Sequence, residues 1–418
     1  MAGTPQDGEH VDGRPRAARA RTEAAVLHAL RRHGYASAQG FRDDSVIGLN
    51  RAELAEAAGV SRPSVSIVEA AFSDSLLDKR SGLPLRLKPG AGYALGVHWG
   101  TRHARVAIAD LNGQLFAVRD GFEKRFSFRE PPSPYLDWTA DALNRLLLTA
   151  DVRPEEVIGL GISRASPINK RTGVAHSSGL PNKEWRDVNA ADQLERRLDW
   201  LQGIPSITDN DANLSAQAEH TFGAAQDLDD FVYVKWSDSV ATALVLSGQS
   251  YRGSDGYAGQ LGHLLIDWRE KTGPGVVCEL CDKKGCLETK VGVANIATQL
   301  GIEIDEEDRI AGRLLDLATH DASVRKRLEY SAELMGEALA PLVDTLNPAG
   351  LVLGGWLGSD IHDHSYLLST LRRTLEEHVM GFGRGIMIRR PTLHRSAVHG
   401  ATLRVIAERL IAWAPRAR

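Results

Sequence analysis

The spacing of apolar and polar positions changes character near Pro89-Gly90. Before that point the texture is helical. A periodic segment, Glu23–Arg32, ends at His33-Gly34, and a second runs from Leu49 to Glu69. Asn50 stands three places before Glu53, the reciprocal arrangement of a capping box, with Leu54 and Ala55 facing inward. Gly59 permits a left-handed turn, and Ser61 is placed to cap a following helix with Pro63 in its first turn. Two short helices joined by a tight Gly-containing turn predict a helix-turn-helix. Lys79-Arg80-Ser81-Gly82 then breaks the chain before Leu83–Leu87, a candidate β-wing.

After Pro89-Gly90 the alternation becomes that of strands. Tyr93–Val97, Ala104–Asp110 and Gln114–Arg119 read as strands, with Asn112-Gly113 as a hairpin turn. A helix near Tyr135–Thr149 and a strand at Glu156–Ile162 follow. From Gly203 a second cycle begins: strand Ser206–Asp209, helix Ala212–Phe222, then strands Phe231–Trp236 and Ala241–Leu246. The last third reads as helical, interrupted by the buried-strand signal Gly350–Gly355. Strand groups with helices, appearing twice, predict two α/β lobes with a cleft between them.

Composition narrows the class. The chain has 418 residues, 43% hydrophobic and 25% charged, which fits a globular protein of two or three domains. No run approaches the roughly 18 apolar residues of a membrane span. Residues 1–21 are polar and carry Arg14, Arg16, Arg19 and Arg21, which reads as a disordered basic arm and not a signal peptide. The net charge of -4 excludes a bulk polyanion binder. Residues 1–90 hold 13 Lys/Arg against 11 Asp/Glu, a balance that permits a local nucleic-acid patch without arguing for one.

All three cysteines fall between Cys278 and Cys286, so a disulfide framework is not expected. Gly262-His263 followed by Cys278, Cys281 and Cys286 offers one imidazole and three thiolates. That is a closed tetrahedral donor set suited to a structural zinc ion, with no open position for water. Its expected role is to tie down the loop 263–288.

With these pieces in place the chain, from about Leu49 to its end, resembles the ROK family of repressors, open reading frames and sugar kinases. Gly96-Val97-His98-Trp99-Gly100-Thr101 resembles the family's first phosphate loop, and Gly159–Ile162 through Pro167–Gly173 its glycine- and proline-rich hinge. Leu180-Pro181 with Trp185 resembles the sugar-proximal loop, and Asn210-Asp211-Ala212-Asn213 the catalytic-base motif. Tyr251-Arg-Gly253 with Ala258–His263 resembles the signature leading into the zinc loop. Cys278 and Cys281 are separated by two residues where the family usually has one. The resemblance implies an actin-like (ribonuclease H-like) two-lobed α/β domain over 91–418, preceded by a winged helix-turn-helix over 22–90. It also implies that Asn210, Asp211, Gln260, His263 and Glu288 line a sugar pocket. Convergent polar groups in a cleft suit a sugar's hydroxyls, although Asp211 alone also reads as a helix cap.

The kinase function is where the resemblance weakens. Family kinases use Asp-x-Gly-Gly-Thr around magnesium and phosphate; here His98 stands where the aspartate belongs, and Thr101 and Arg102 fall at the second Gly and the Thr. The second turn reads Ser237-Asp238-Ser239-Val240-Ala241-Thr242-Ala243, with side chains in place of glycines. Asp211 retains the chemistry of a general base, but without a phosphate cradle no nucleotide is positioned. Gln260 replaces the family's usual glutamate, and Gly179 stands where an asparagine is usual. The expectation is therefore no enzyme, with a sugar or sugar-phosphate effector, or a pocket that binds none.

Family members with an N-terminal winged helix-turn-helix are transcriptional regulators. By that likeness Arg62, Ser64 and Ser66 are candidates for base edges, with Arg62 on guanine or on a phosphate. Arg51, Lys79 and Arg80 are assigned to phosphates. Ile67-Val68-Glu69-Ala70-Ala71 departs from the basic or polar continuation usual there, so a module kept for packing or dimerisation is the competing reading. The combined expectation is a cytoplasmic, zinc-containing regulator, a repressor in sense of action, that binds operator DNA as a homodimer or homotetramer. The alternatives are an ATP-dependent hexose kinase and a regulator controlled by a partner protein.

Overall fold

Asn50 begins the helix Arg51–Ala57: its side chain accepts from the Ala52 and Glu53 amides while Glu53 accepts from the Asn50 amide, completing the capping box. Gly59 is left-handed (φ 62°), and Ser61 caps the helix Arg62–Ala71. Together they form the helix-turn-helix that the caps predict. Strands β1 (Leu77–Asp78) and β2 (Arg86–Leu87) pair antiparallel, and Leu49 bridges to Leu85, giving the short ribbon expected of a wing. Leu54, Val65, Val68, Leu77 and Leu87 are buried. The protein is described here by a computed structural model covering residues 22–23, 25–27, 29–30, 48–72, 76–78, 84–88, 90–116, 122–176, 182–266, 276–278, 280–303 and 310–413. The basic arm, Lys79, Arg80 and the Gly179-Leu180-Pro181 stretch lie outside the described residues.

The chain divides into two compact units. One holds the residues up to Gly92 with Asp110–Gln114 and the chain from Ile406 on; the other holds Tyr93–Ala109 and Leu115–Val405. The second unit carries two sheets. In the first, β3 (Tyr93–Trp99), β4 (His103–Asp110), β5 (Leu115–Phe116), β7 (Val157–Arg164) and β8 (Ser206–Asn210) run in the order β5-β4-β3-β7-β8, with β6 (Glu123–Arg125) also paired to β4. In the second, β9 (Phe231–Trp236), β10 (Val240–Leu246), β11 (Gln249–Tyr251), β12 (Gly350–Gly354) and β13 (Met387–Arg389) run in the order β11-β10-β9-β12-β13. Setting β6 aside, both follow one path of third, second, first, fourth and fifth strand. The twofold occurrence of strand groups is thus a repeat of topology.

Each sheet buries its own core. Leu95, Val97, Val106, Leu143 and Leu160 belong to the first; Val232, Val234, Leu328, Leu339 and Leu353 to the second. The glycines of β3 and β7 permit close helix packing. A Cβ on Gly161 would lie 2.0 Å from the Ala401 carbonyl oxygen, and one on Gly96 2.7 Å from that of Val398, both in the helix Ser396–Trp413. In β7, a central parallel strand, all eight residues are buried, including Arg164 at its carboxyl end. Such strand ends are where side chains of open α/β sheets meet a ligand.

Candidate functional site

His263 ends a short turn, Leu261–His263, and the three cysteines follow on a loop tied by bridges between Leu265 and Cys286 and between Val277 and Lys284. The four ligand atoms lie within 4.8 Å of one another. Cys278 Sγ is 3.6 Å from His263 Nδ1, and Cys281 Sγ is 3.5 Å from Cys286 Sγ. These are the edge lengths of a tetrahedron around an ion with metal–sulfur bonds near 2.3 Å. Burial, then the Glu288 carboxylate, holds the Cys278 thiol far above its ordinary pKa, and burial with Cys281 raises Cys286 to about 12. A divalent cation at the centre reverses that balance and makes thiolates. The donor set fits zinc and forms the metal site expected from the sequence.

One wall of a cleft of about 660 Å³ begins at Cys278 and Glu288. Glu288 is buried, and its carboxylate accepts from the Val240 amide at 3.0 Å. The opposite wall is aromatic: Phe126, Phe128 and Tyr135 line it, and Trp185 packs edge-on to Phe126 and Phe128. Across the cleft the two turns where a kinase of this fold would cradle phosphates are joined. Thr101 Oγ1 donates to Asp238 at 3.1 Å, and Arg102 donates through Nε at 2.6 Å and Nη2 at 3.2 Å. Beside them the Trp356 amide donates to Ser237 Oγ at 2.9 Å. A carboxylate and a hydroxyl of the second turn therefore engage donors of the kind a nucleotide phosphate would use.

The candidate effector residues are not all brought to this cleft. Glu288 lines it; Asn210, Asp211, Gln260 and His263 are not among its lining residues. Asn210 caps the helix Asp211–Phe222 and donates to the Ser166 carbonyl, so its amide is committed on both sides. Asp211 is buried and paired with Lys235 Nζ at 2.5 Å. Asp209 is paired with Arg252 at 2.7 Å. Gln260 is half-buried, and His263 belongs to the metal cluster. His98 shares a 3.0 Å hydrogen bond with Ser163, and burial, reinforced by Arg105, Lys235 and His103, pushes its pKa well below the usual imidazole value. A neutral imidazole replaces the hard oxygen ligand that magnesium requires.

Sequence reading did not reach Lys235, Arg252, Arg164 or the partnership of Arg102 with Asp238. A lone lysine in an apolar strand, Phe-Val-Tyr-Val-Lys-Trp, was the available signal for the first.

In the helix-turn-helix, Arg62 is exposed on the second helix. Ser64 shares a 2.8 Å hydrogen bond with the cap Ser61, and Ser66 Oγ donates to the Arg62 carbonyl. Arg51 is held by Glu69 through two contacts of 2.8 and 3.0 Å. Glu69, which departs from the usual basic continuation, thus takes up one cation assigned to a phosphate. Ile67, on the same helix, is 57% exposed. Among the described residues no helix is long and apolar enough to cross a membrane.

Comparison with known proteins places this architecture. The chain is 25% identical over 344 residues to the xylose repressor of Bacillus subtilis, covering 79% of this chain and 83% of that one. It is 30% identical over 230 residues to a glucokinase of Halalkalibacterium halodurans, covering 52% and 66%. Among solved structures, a ROK family transcriptional regulator homologous to the MLC protein of Escherichia coli superposes with a TM-score of 0.71 at 18% identity, covering 94% of this chain and 98% of that one. A ROK hexokinase from Thermus thermophilus matches 74% of this chain and 97% of that one, at a TM-score of 0.56 and 25% identity. The ROK family model itself matches residues 94–408, and the chain belongs to the ROK family.

Proposed function

We propose that this protein is a transcriptional regulator of carbohydrate genes that senses a sugar in its cleft and does not phosphorylate it. The reading is carried by the carboxylate of Asp238, held by Thr101 and Arg102 where a kinase would hold phosphate. Two further observations support it. Asp211, the candidate base, is ion-paired with Lys235, so the carboxylate oxygen that would face a sugar hydroxyl is already engaged by an ammonium. The capped helix-turn-helix with its ribbon accompanies the ROK domain, and repressors recur among the relatives.

In this reading Arg62 leads the recognition helix into the major groove, and paired copies of the chain in a homodimer or homotetramer address two half-sites. Zinc stiffens the 263–288 loop along one wall of the cleft. The protein works in the cytoplasm. Footprinting on the protein's own promoter region with a panel of sugars tests the proposal: a salt-sensitive footprint relieved by one sugar is expected. No footprint, together with sugar-dependent ATP turnover, would establish the kinase reading in its place.

A further inference from the structure

The helix Arg62–Ala71 divides its residues between two sides. Val65 and Val68 are buried and turn one side inward. At about 100° per residue, Arg62, Ser66, Ala70, Pro63 and Ile67 fall in that order across an arc of about 140° on the other side, and all five are exposed. Arg62 opens the arc and Ile67 closes it. Between them stand only a hydroxyl, a methyl and a proline ring.

Hydrogen bonding along this arc is largely satisfied within the protein. Ser66 Oγ donates to the Arg62 carbonyl at 3.4 Å, which leaves it only lone pairs to offer outward. Ser64 lies off the arc, half-buried, and shares its hydrogen bond with the cap Ser61. Glu69, the one carboxylate of the helix, is also off the arc and is held by Arg51 at 2.8 and 3.0 Å. Its charge is compensated before any DNA arrives, so the arc offers a base edge no carboxylate and one guanidinium. Ile67 is the largest apolar side chain left in water on this helix, 57% exposed. A β-branched side chain keeps essentially one χ1 rotamer in a helix, so it projects a stiff hydrocarbon surface. The major groove has one apolar feature to match it, the C5-methyl of thymine.

We infer that Ile67 is a specificity-determining residue that packs on a thymine methyl in the major groove of each half-site. Five residues separate it from Arg62, a rise of about 7.5 Å along the helix axis, against about 3.4 Å between successive bases of a strand. The required thymine therefore lies about two base pairs from the position that Arg62 contacts. Losing one methyl-sized apolar contact weakens binding about fourfold, and that sets the strength of the preference. The inference rests on the reading of the chain as a DNA-binding regulator.

Duplexes selected from a random-sequence pool by the full-length, zinc-loaded chain supply the probe. Each thymine of the selected site is replaced in turn by uracil, which removes the methyl and leaves the hydrogen-bonding edges unchanged. At one thymine in each half-site, uracil should weaken binding about fourfold. Ile67→Ala should bind the thymine and uracil duplexes of that position equally, whereas Ile67→Val should keep most of the discrimination. Both variants should melt with the parent chain, because the side chain is exposed. A site with no uracil-sensitive thymine would overturn the inference and leave DNA binding standing. So would a uracil penalty that persists unchanged in Ile67→Ala, the result expected if Ile67 serves a protein contact. A pool from which the chain enriches no sequence would fail the regulator reading itself, and the inference with it.

Discussion

Joining the two turns through Arg102 and Asp238 has a thermodynamic consequence that a double-mutant cycle can read. The perturbation is Arg102→Met, Asp238→Asn and the pair together. Side-chain exposures of 24% and 12% place the contact between a surface ion pair and a buried one. Exposed pairs couple by about 0–1 kcal/mol, whereas removing one partner of a buried pair costs about 3–5 kcal/mol. Two guanidinium contacts meet the carboxylate, one of them only 2.6 Å long, and the 3.1 Å Thr101 hydrogen bond persists in Arg102→Met. Hydrogen bonds to charged groups contribute about 1.5–3 kcal/mol when buried, so with partial solvent screening the coupling should be about 1–2 kcal/mol. Urea unfolding of the four proteins, followed by a probe in each lobe, supplies the assay. Each single variant should be destabilised, and the double variant should be less destabilised than their sum by that amount. A coupling below about 0.3 kcal/mol, the scatter of independent sites, would refute the claim that this pair ties the turns together.

Three further outcomes follow from other parts of the chain. Chelation should remove one zinc per chain and destabilise the 263–288 loop, and Cys281→Ser should lower zinc occupancy measured by metal analysis; full occupancy in that variant would exclude Cys281 as a ligand. His98 is held neutral by burial, so the unfolded chain binds that proton first, and stability should fall as pH drops below about 6.5 by up to about 1.4 kcal/mol per unit. In His98→Gln the difference in unfolding free energy between pH 7.5 and 5.5 should shrink; an unchanged difference would mean that His98 does not contribute. Arg62→Ala should weaken operator binding by about 1–3 kcal/mol if the guanidinium reads a guanine, with the loss confined to one base position. An equal loss on every sequence would assign it to a phosphate.

Much of this was legible in the sequence because it is local. Asn50, Glu53, Gly59 and Ser61 fix the helix-turn-helix through caps and a left-handed turn, all of which act within four residues. The strands of both lobes follow from their apolar runs and turn residues, and the metal site from three cysteines in nine positions. The short strands β6, β11 and β13, of three residues each, have too few positions for any alternation to register. The contacts that decide the site are long-range. Arg102 and Asp238 lie 136 residues apart, and no periodicity links them. Arg164 reads as the polar end of an apolar strand, and its complete burial between Phe128 and Trp185 depends on a fold that brings three separate segments together. The bond from the Val240 amide to Glu288 is hidden for the same reason, since strand β10 arrives there only through tertiary packing.

Phosphoryl transfer is the most direct test of the central claim. The purified, zinc-loaded chain, incubated with magnesium, ATP and a set of hexoses and pentoses, should release no sugar-dependent ADP above a protein-free control, while the same preparation binds its own promoter DNA. Turnover that depends on a sugar and disappears with Asp211→Asn would contradict the account.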